Sequence, residues 1–363
     1  MRLVIAGGGT GGHLFPGIAV AESFLAQDET NEVLFVGTAR GIEARVIPQE
    51  GYPLHLIEVT GIKGKGILQK LKSLWAIPNA VFQSLTLLRR YKAQAVLGVG
   101  GYASGPVLLA AWLLRLPTAV CEQNSVPGLT NRILGKLVRK VYGTFAHAKS
   151  YFPEKKFVLS GNPMRTQLIE AFQKTEKTQT EEAQADALQL LVLGGSQGAQ
   201  ALNQAVPAAL RLLKEEGHAL KVVHQSGERN FDEVEKTYKD SGLNVEVKAF
   251  IKDMVSTYRQ SDIALTRAGA STCTEIALMG VPTIMVPFPY ATDDHQTLNA
   301  RELEKVDGIK LLPEKEMTPD RLAQELKTLL KDISIRDKMT QNLKSVAKPD
   351  AAKEIARAVV DGF

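Results

Sequence analysis

The amino-acid sequence predicts an α/β protein made of two doubly wound, parallel-sheet halves. Three observations carry that expectation. Short apolar runs alternate with helix-periodic segments through most of the 363 residues. The alternation breaks once, at Gly161-Asn162-Pro163 and the polar residues 173–184, and restarts near residue 190. Each half also opens alike, with an apolar run feeding glycines and then a helix. The first opening is Leu3-Val4-Ile5-Ala6 before Gly7-Gly8-Gly9-Thr10-Gly11-Gly12-His13; the second is residues 190–193 before Gly194-Gly195-Ser196-Gln197-Gly198-Ala199. Single cores stop growing near ~250–300 residues, so a chain of this length divides into two domains.

In the first half the pattern predicts strands at 3–6, 33–36, 54–59, 95–99, 118–121, 140–142 and 157–159. In the second it predicts strands at 190–193, 221–224, 245–250, 263–266, 283–286 and 309–312. A last helix, about 351–360, follows Pro349-Asp350, a favourable start. Ligands bind such sheets at the carboxyl ends of the strands, so the two glycine turns are expected to face one cleft. A strand entering a helix through glycines gathers N–H groups and the positive helix end at one point, where an anion can sit.

Composition narrows the class. Two cysteines, Cys121 and Cys273, imply neither a disulfide framework nor a metal cluster. The first residues lead straight into a strand with no basic and apolar leader, so no secretory signal is expected. The most apolar stretch, 106–114, is interrupted by Arg115 and Pro117. It is shorter than the ~20 residues a membrane span takes, and a cytosolic chain is expected. The net charge of +5 hides an asymmetry: residues 51–150 hold thirteen Lys/Arg against two Asp/Glu. Within that region Ile67, Leu68, Leu71, Leu74 and Trp75 share one helical face, with Lys65, Lys70 and Lys72 around it. Such a stripe either packs as core or meets an anionic membrane surface, and the basic surroundings favour the membrane. Nucleic acid is disfavoured by the scarcity of aromatics for stacking.

Several residues point to a polar, phosphorylated or glycosyl ligand. Gly7-x-Gly9-x-x-Gly12 matches a dinucleotide fingerprint, but Val33-Leu34-Phe35-Val36 runs into Gly37-Thr38-Ala39-Arg40 with no carboxylate for a ribose diol. Ser196 can cap a helix or bond a phosphate. Thr272 and Glu275 have capping-box spacing, while Glu275 could equally accept two vicinal hydroxyls. Gln296 and Asn299, after the 283–286 strand, suit hydroxyl recognition. His13 is the candidate base, placed at a helix N-terminus that should lower its pKa from ~6.5. Glu122, in Cys121-Glu122-Gln123-Asn124, is a second candidate.

Together these motifs resemble one family. They are Gly8-Gly9-Thr10-Gly11-Gly12-His13-Leu14-Phe15-Pro16-Gly17, Gly100-Gly101-Tyr102-Ala103-Ser104-Gly105-Pro106, Glu122-Gln123-Asn124 and Gly161-Asn162-Pro163-Met164-Arg165. The second half adds residues 194–199, His224-Gln225-Ser226-Gly227, 267–275 and 294–299. The family is the peripheral-membrane N-acetylglucosaminyltransferases of peptidoglycan synthesis, the MurG family. The resemblance implies a glycosyltransferase-B fold of two Rossmann-like domains. Residues 1–163 would be the acceptor- and membrane-facing domain, 164–345 the UDP-GlcNAc domain, and a helix at about 346–363 would pack back on the first.

By the same resemblance N-acetylglucosamine passes, with inversion, from UDP-GlcNAc to the C4 hydroxyl of MurNAc in undecaprenyl-pyrophosphoryl-MurNAc-pentapeptide. Thr10, Gly11, Gly12 and Asn124 would approach the donor, Arg165 and Ser196 would serve the diphosphate, and Ile251 would border the uracil. Ala270, Ser271, Thr272, Cys273, Thr274 and Glu275 would hold the nucleoside, and Gln296 would read sugar hydroxyls. No cofactor and no tightly bound metal are implied, since the sequence has no Asp-x-Asp signature. The location implied is peripheral, on the cytoplasmic face of the inner membrane, with the lipid acceptor and cell-wall synthesis proteins as candidate partners. Rivals are a related transferase with another UDP-sugar and lipid, a UDP-sugar epimerase, a nucleotide-sugar-binding scaffold, and, remotely, an oxidoreductase.

Overall fold

The computed structural model describes residues 1–59, 67–175, 187–195, 197–239 and 241–363; for 67–76 and 171–175 it describes the backbone alone. Contacts divide the chain into two compact units, Met1–Thr166 with Lys348–Phe363, and Gln167–Ala347.

The first unit begins with β1 (Arg2–Gly7), α1 (Gly11–Leu25), β2 (Glu32–Gly37), α2 (Glu43–Gln49), β3 (Leu54–Leu56) and α3 (Ile67–Tyr91). It continues with β4 (Ala95–Gly100), α4 (Ser104–Leu113), β5 (Thr118–Glu122), α5 (Leu129–Leu137), β6 (Lys140–Gly143) and β7 (Phe157–Leu159). The strands form one sheet in the order β3-β2-β1-β4-β5-β6-β7, every described pair parallel. All six residues of β4 are buried, as expected when helices cover both faces. One core includes Val4, Val96, Val107 and Val120; the other includes Leu3, Ile5, Leu97 and Ala119 with Leu14, Ile18 and Phe24 of α1. Alternate residues of the same strands supply opposite faces, the period-two rule of a strand.

β3 stops short of the expected 54–59. Its ladder pairs Phe35 with Leu54, Val36 with His55 and Gly37 with Leu56, so β3 ends where its only described neighbour ends. The exposed apolar residues of this unit include Phe82 (70 %) on α3 and Trp112 (45 %) and Leu113 (52 %) on α4. Those two helices pack against each other. Of the expected membrane stripe, Lys65 lies outside the described residues, as do the side chains of Ile67, Leu68, Lys70, Leu71, Lys72, Leu74 and Trp75. Among the described residues no helix is long and apolar enough to cross a membrane.

After α6 (Thr166–Thr175), which straddles the division, the second unit comprises β8 (Leu188–Leu193), α7 (Gln200–Glu215), β9 (Leu220–Gln225), α8 (Phe231–Lys239), β10 (Asn244–Lys248) and α9 (Met254–Gln260). There follow β11 (Ile263–Thr266), α10 (Ala270–Met279), β12 (Thr283–Met285), α11 (His295–Glu304), β13 (Ile309–Leu311), α12 (Pro319–Lys331) and α13 (Ile333–Val346). The sheet order is β10-β9-β8-β11-β12-β13, again parallel. The final helix α14 (Ala351–Val360) belongs to the first unit, where Ile355, Ala356 and Val359 join the core that contains α1.

Candidate functional site

Each sheet has a point where strand order reverses, between β1 and β4 in the first unit and between β8 and β11 in the second. The crevice outside such a point is where doubly wound sheets take ligands. In both units the glycine turns sit there.

In the first unit the loops after β1 and β4 lie back to back. Gly8 N–H donates to Gly100 O at 3.1 Å. Gly101 has φ +82°, and a Cβ there would collide with the Gly8 carbonyl, so only glycine allows this approach. Ser104 clamps the pair: its Oγ accepts Gly100 N–H at 3.1 Å and lies 2.7 Å from Ala6 O. His13 falls in the first turn of α1, with Thr10 Oγ1 3.2 Å from its Nδ1. Its ring lies against Gly100, where a Cβ would stand 2.7 Å from His13 Cδ2. Thr10, Gly11, Gly12 and His13 are thereby collected at one helix start, with Thr10 as N-cap residue. Arg165 stacks on Phe15 of the same helix, Cζ 3.7 Å from the ring centroid.

Glu122 is placed differently from the expectation of a base that touches substrate. It is 2 % exposed, and its oxygens accept Asn124 N–H at 3.0 Å and Asn131 Nδ2 at 2.9 Å. Burial pushes its pKa up to about 7, against those hydrogen bonds, which lower it. It holds Asn124, which is half-buried, and is not itself presented to a ligand.

In the second unit a groove of about 800 Å³ opens beside the second glycine loop, lined among others by Gly195, Gly198, Arg267, Thr272, Gln296 and Glu314. Ser196 lies outside the described residues. The loop is fixed from below. Gly198 has φ +76°, and a Cβ there would strike the Ser226 carbonyl. Ser226 O accepts Asn203 Nδ2 at 3.1 Å, and Asn203 Oδ1 faces His224 Nε2 at 3.0 Å. Since that oxygen can only accept, His224 carries its proton on Nε2 and receives Tyr238 O–H on Nδ1 at 2.9 Å. Burial lowers the His224 pKa to about 4, so the network stays neutral. Gln225 ties loop to strand end: its Nε2 donates to Gly195 O and its Oε1 accepts Ile251 N–H, both at 2.9 Å.

The capping-box alternative for Thr272 and Glu275 fails. α10 starts at Ala270 with Gly269 as cap and no side-chain cap bond, so both residues lie inside the helix. Glu275 instead receives Tyr258 O–H on Oε2 at 2.9 Å. It is half-buried, an oriented carboxylate on the first turns of α10. Ala270, Ser271, Thr272 and Thr274 accompany it, and Thr274 Oγ1 donates to Ala270 O at 2.8 Å. Cys273 does not belong with them: its side chain is buried and faces Met285, 3.8 Å from sulfur to sulfur. Gln296 Oε1 accepts Phe288 N–H at 3.0 Å and Ala268 N–H at 3.3 Å, so its NH2 is the part that can donate to a sugar. Asn299 is buried and donates to Ala268 O at 3.2 Å, supporting the turn from below.

Two residues absent from the candidates matter here. Arg267 is nearly buried, donates to the carbonyls of Val286 and Pro287 at 3.2 Å, and pairs with Glu314 at 2.5 Å. It sets the path on which exposed Phe288 and Tyr290 stand. Glu43 is buried beneath the first glycine loop. No local spacing marks either one, because the partners of Arg267, and the Gly9 amide that Glu43 holds, lie far along the chain.

Comparison with known proteins agrees with this layout. Residues 3–143 match the Glycosyltransferase family 28 N-terminal domain, and residues 189–355 its C-terminal domain. The Myxococcus xanthus UDP-N-acetylglucosamine–N-acetylmuramyl-(pentapeptide) pyrophosphoryl-undecaprenol N-acetylglucosamine transferase is 46 % identical over 99 % of this chain and 93 % of its own. Its namesake from Anaeromyxobacter sp. strain Fw109-5 is 45 % identical over 98 % and 92 %. Among solved structures, Acinetobacter baumannii MurG superposes with a TM-score of 0.81 at 32 % identity, covering 99 % of both chains. The glycosyltransferase-B fold expected from the sequence is thus present. With glycine turns at both switch points and relatives this similar along nearly the whole length, the chain belongs to the MurG family of N-acetylglucosaminyltransferases within glycosyltransferase family 28.

Proposed function

We propose that this chain transfers N-acetylglucosamine from UDP-GlcNAc to the C4 hydroxyl of MurNAc in undecaprenyl-pyrophosphoryl-MurNAc-pentapeptide, converting lipid I to lipid II. The observation that carries this beyond family membership is Glu275, a carboxylate oriented by Tyr258 O–H on the helix that follows the second switch point. An oriented carboxylate accepts two vicinal hydroxyls, which is what a ribose presents. The uracil is assigned to the backbone at Ile251, the nucleoside to Ala270, Ser271, Thr272, Thr274 and Glu275, and sugar hydroxyls to the Gln296 NH2. The diphosphate is assigned to Ser196, the loop amides, the start of α7 and Arg165.

Inversion follows from one in-line displacement. The C4 oxygen attacks the anomeric carbon, its proton passes to a base, and the bond from that carbon to the β-phosphate oxygen breaks with its electrons leaving on UDP. Helix-end amides meet the negative charge that gathers on the leaving group. His13 is assigned as the base, with Thr10, Gly11, Gly12 and Asn124 as its neighbours toward substrate. The exposed Phe82, Trp112 and Leu113 of the basic first unit are assigned to an anionic membrane surface, on the cytoplasmic face where the lipid acceptor's headgroup lies.

The test uses a soluble lipid I analogue with competing UDP-sugars. Expected is transfer of GlcNAc in preference to galactose, lost on His13→Ala with UDP binding retained. Turnover of UDP-GlcNAc in the absence of any acceptor would assign an epimerase instead.

A further inference from the structure

The first glycine loop is filled from within. β2 ends at Gly37, the chain turns through Thr38, and α2 begins at Glu43. The Glu43 side chain folds back under the β1–α1 turn, where it is 2 % exposed. Its Oε2 accepts Gly9 N–H at 2.7 Å; its Oε1 accepts Thr38 N–H and Thr38 O–H, each at 2.9 Å. Gly8 and Gly41 lie directly against it, and a Cβ on either would run into the carboxylate.

Loops of this kind ordinarily offer their amides to a ligand phosphate. Here the Gly9 amide is spent on an anion that the chain supplies. A phosphate brought to that amide would meet the carboxylate, and like charges at close range repel strongly where water is scarce. The second glycine loop differs: its Gly195 carbonyl and Gly198 turn are held by neutral groups, Gln225 and Ser226. The two loops are therefore alike in sequence and unlike in charge.

We propose that Glu43 is a positioning residue, a built-in anion that occupies the first glycine loop in place of phosphate. It keeps the Gly9 amide from phosphate and stiffens the turn that carries His13. The Gly9 amide that it holds lies two residues before the start of α1, and His13 is in the first turn. The proposal rests on the assignment of proton transfer to His13.

The test compares Glu43→Ala, Glu43→Gln and Thr38→Val in the full chain, with steady-state transfer to a soluble acceptor. For Glu43→Ala the expected result is a kcat lowered at least about tenfold with the UDP-GlcNAc KM within about twofold, because the donor is held elsewhere. Acetate at tens of millimolar should fill the vacated carboxylate site and restore part of that kcat, whereas acetamide should not. Glu43→Gln sets an NH2 against an N–H and leaves no room for acetate; it should lose kcat without rescue. Thr38→Val removes a single donor and should show a smaller loss with the same split.

A folded Glu43→Ala with unchanged kcat, or a loss that acetate does not answer, overturns the proposal. If Glu43→Ala does not fold, an unchanged kcat in Thr38→Val overturns it. His13→Ala, measured alongside, separates the two assignments: wild-type turnover there removes His13 as base, while acetate rescue still reports on Glu43.

Discussion

Tyr258→Phe removes one oxygen atom from a residue that is 2 % exposed and whose hydroxyl has a single assigned task, the 2.9 Å hydrogen bond to Glu275 Oε2. A hydrogen bond to a charged group is worth about 1.5–3 kcal/mol. Glu275 is half-buried, so water replaces part of the loss, and the lower end applies. At about 1.4 kcal/mol per factor of ten, UDP should bind about tenfold more weakly. Glu275→Ala removes both acceptor oxygens and should weaken UDP about a hundredfold. Because the Tyr258 hydroxyl is held well above its ordinary pKa by burial and by Glu275, the effect should not vary with pH across the neutral range.

Isothermal titration of UDP into both variants measures the affinities, with thermal unfolding as a control on folding. Steady-state turnover at saturating donor should leave kcat of Tyr258→Phe within about twofold of wild type, since the bond orients a binding group and not a reacting one. Unchanged UDP affinity in a folded Tyr258→Phe protein, with Glu275→Ala weakened, would refute the claim that the phenol orients the carboxylate. Unchanged affinity in both would remove the nucleoside from this helix.

Glu122→Gln should change how stability depends on pH. The buried carboxyl has its folded pKa raised to about 7 from 4.5, so between those values the folded state binds the proton that the unfolded state has released. Stability conferred at low pH is therefore lost as pH rises through that window, by roughly 3 kcal/mol, and Glu122→Gln should abolish that component. Urea unfolding of both proteins at pH 5 and 7.5 measures it; a wild-type-to-variant difference independent of pH rejects the assignment. At the surface, Phe82→Ser, Trp112→Ser and Leu113→Ser together should weaken binding to anionic vesicles by about two orders of magnitude, at roughly 1 kcal/mol for each side chain. Soluble-acceptor activity should remain; unchanged sedimentation with vesicles would place the membrane contact elsewhere.

The central strands among the described residues, such as β1, β4, β5 and β8, were legible as apolar runs between turn residues, because a strand buried on both faces must be apolar along its length. β3, β7 and β10 are partly exposed and show a weaker pattern. Their ends were less legible. β3 and β10 (Asn244–Lys248) stop two or more residues early because a ladder ends with its partner, and the partner is distant in sequence. The glycine turns were visible for the same local reason as the strands: a backbone that must approach another closely has no room for Cβ, and glycine records this in the sequence. Spacing misled at Thr272 and Glu275, where the right residue types for a cap lie one turn too far into the helix.

What the sequence determined alone is therefore the order of elements, the two openings and the position of Glu275 after a strand end. The tertiary structure decided which polar groups work on one another. Glu43 lies 34 positions from Gly9, Tyr258 lies 17 from Glu275, and Arg267 reaches Glu314 across β12 and α11. It also withdrew Cys273 and Glu122 from the surface. Helical and strand periodicity are properties of neighbouring residues, whereas a carboxylate's partner is whatever the sheet order carries to it. That order is settled only when the cores on both faces of each sheet are packed.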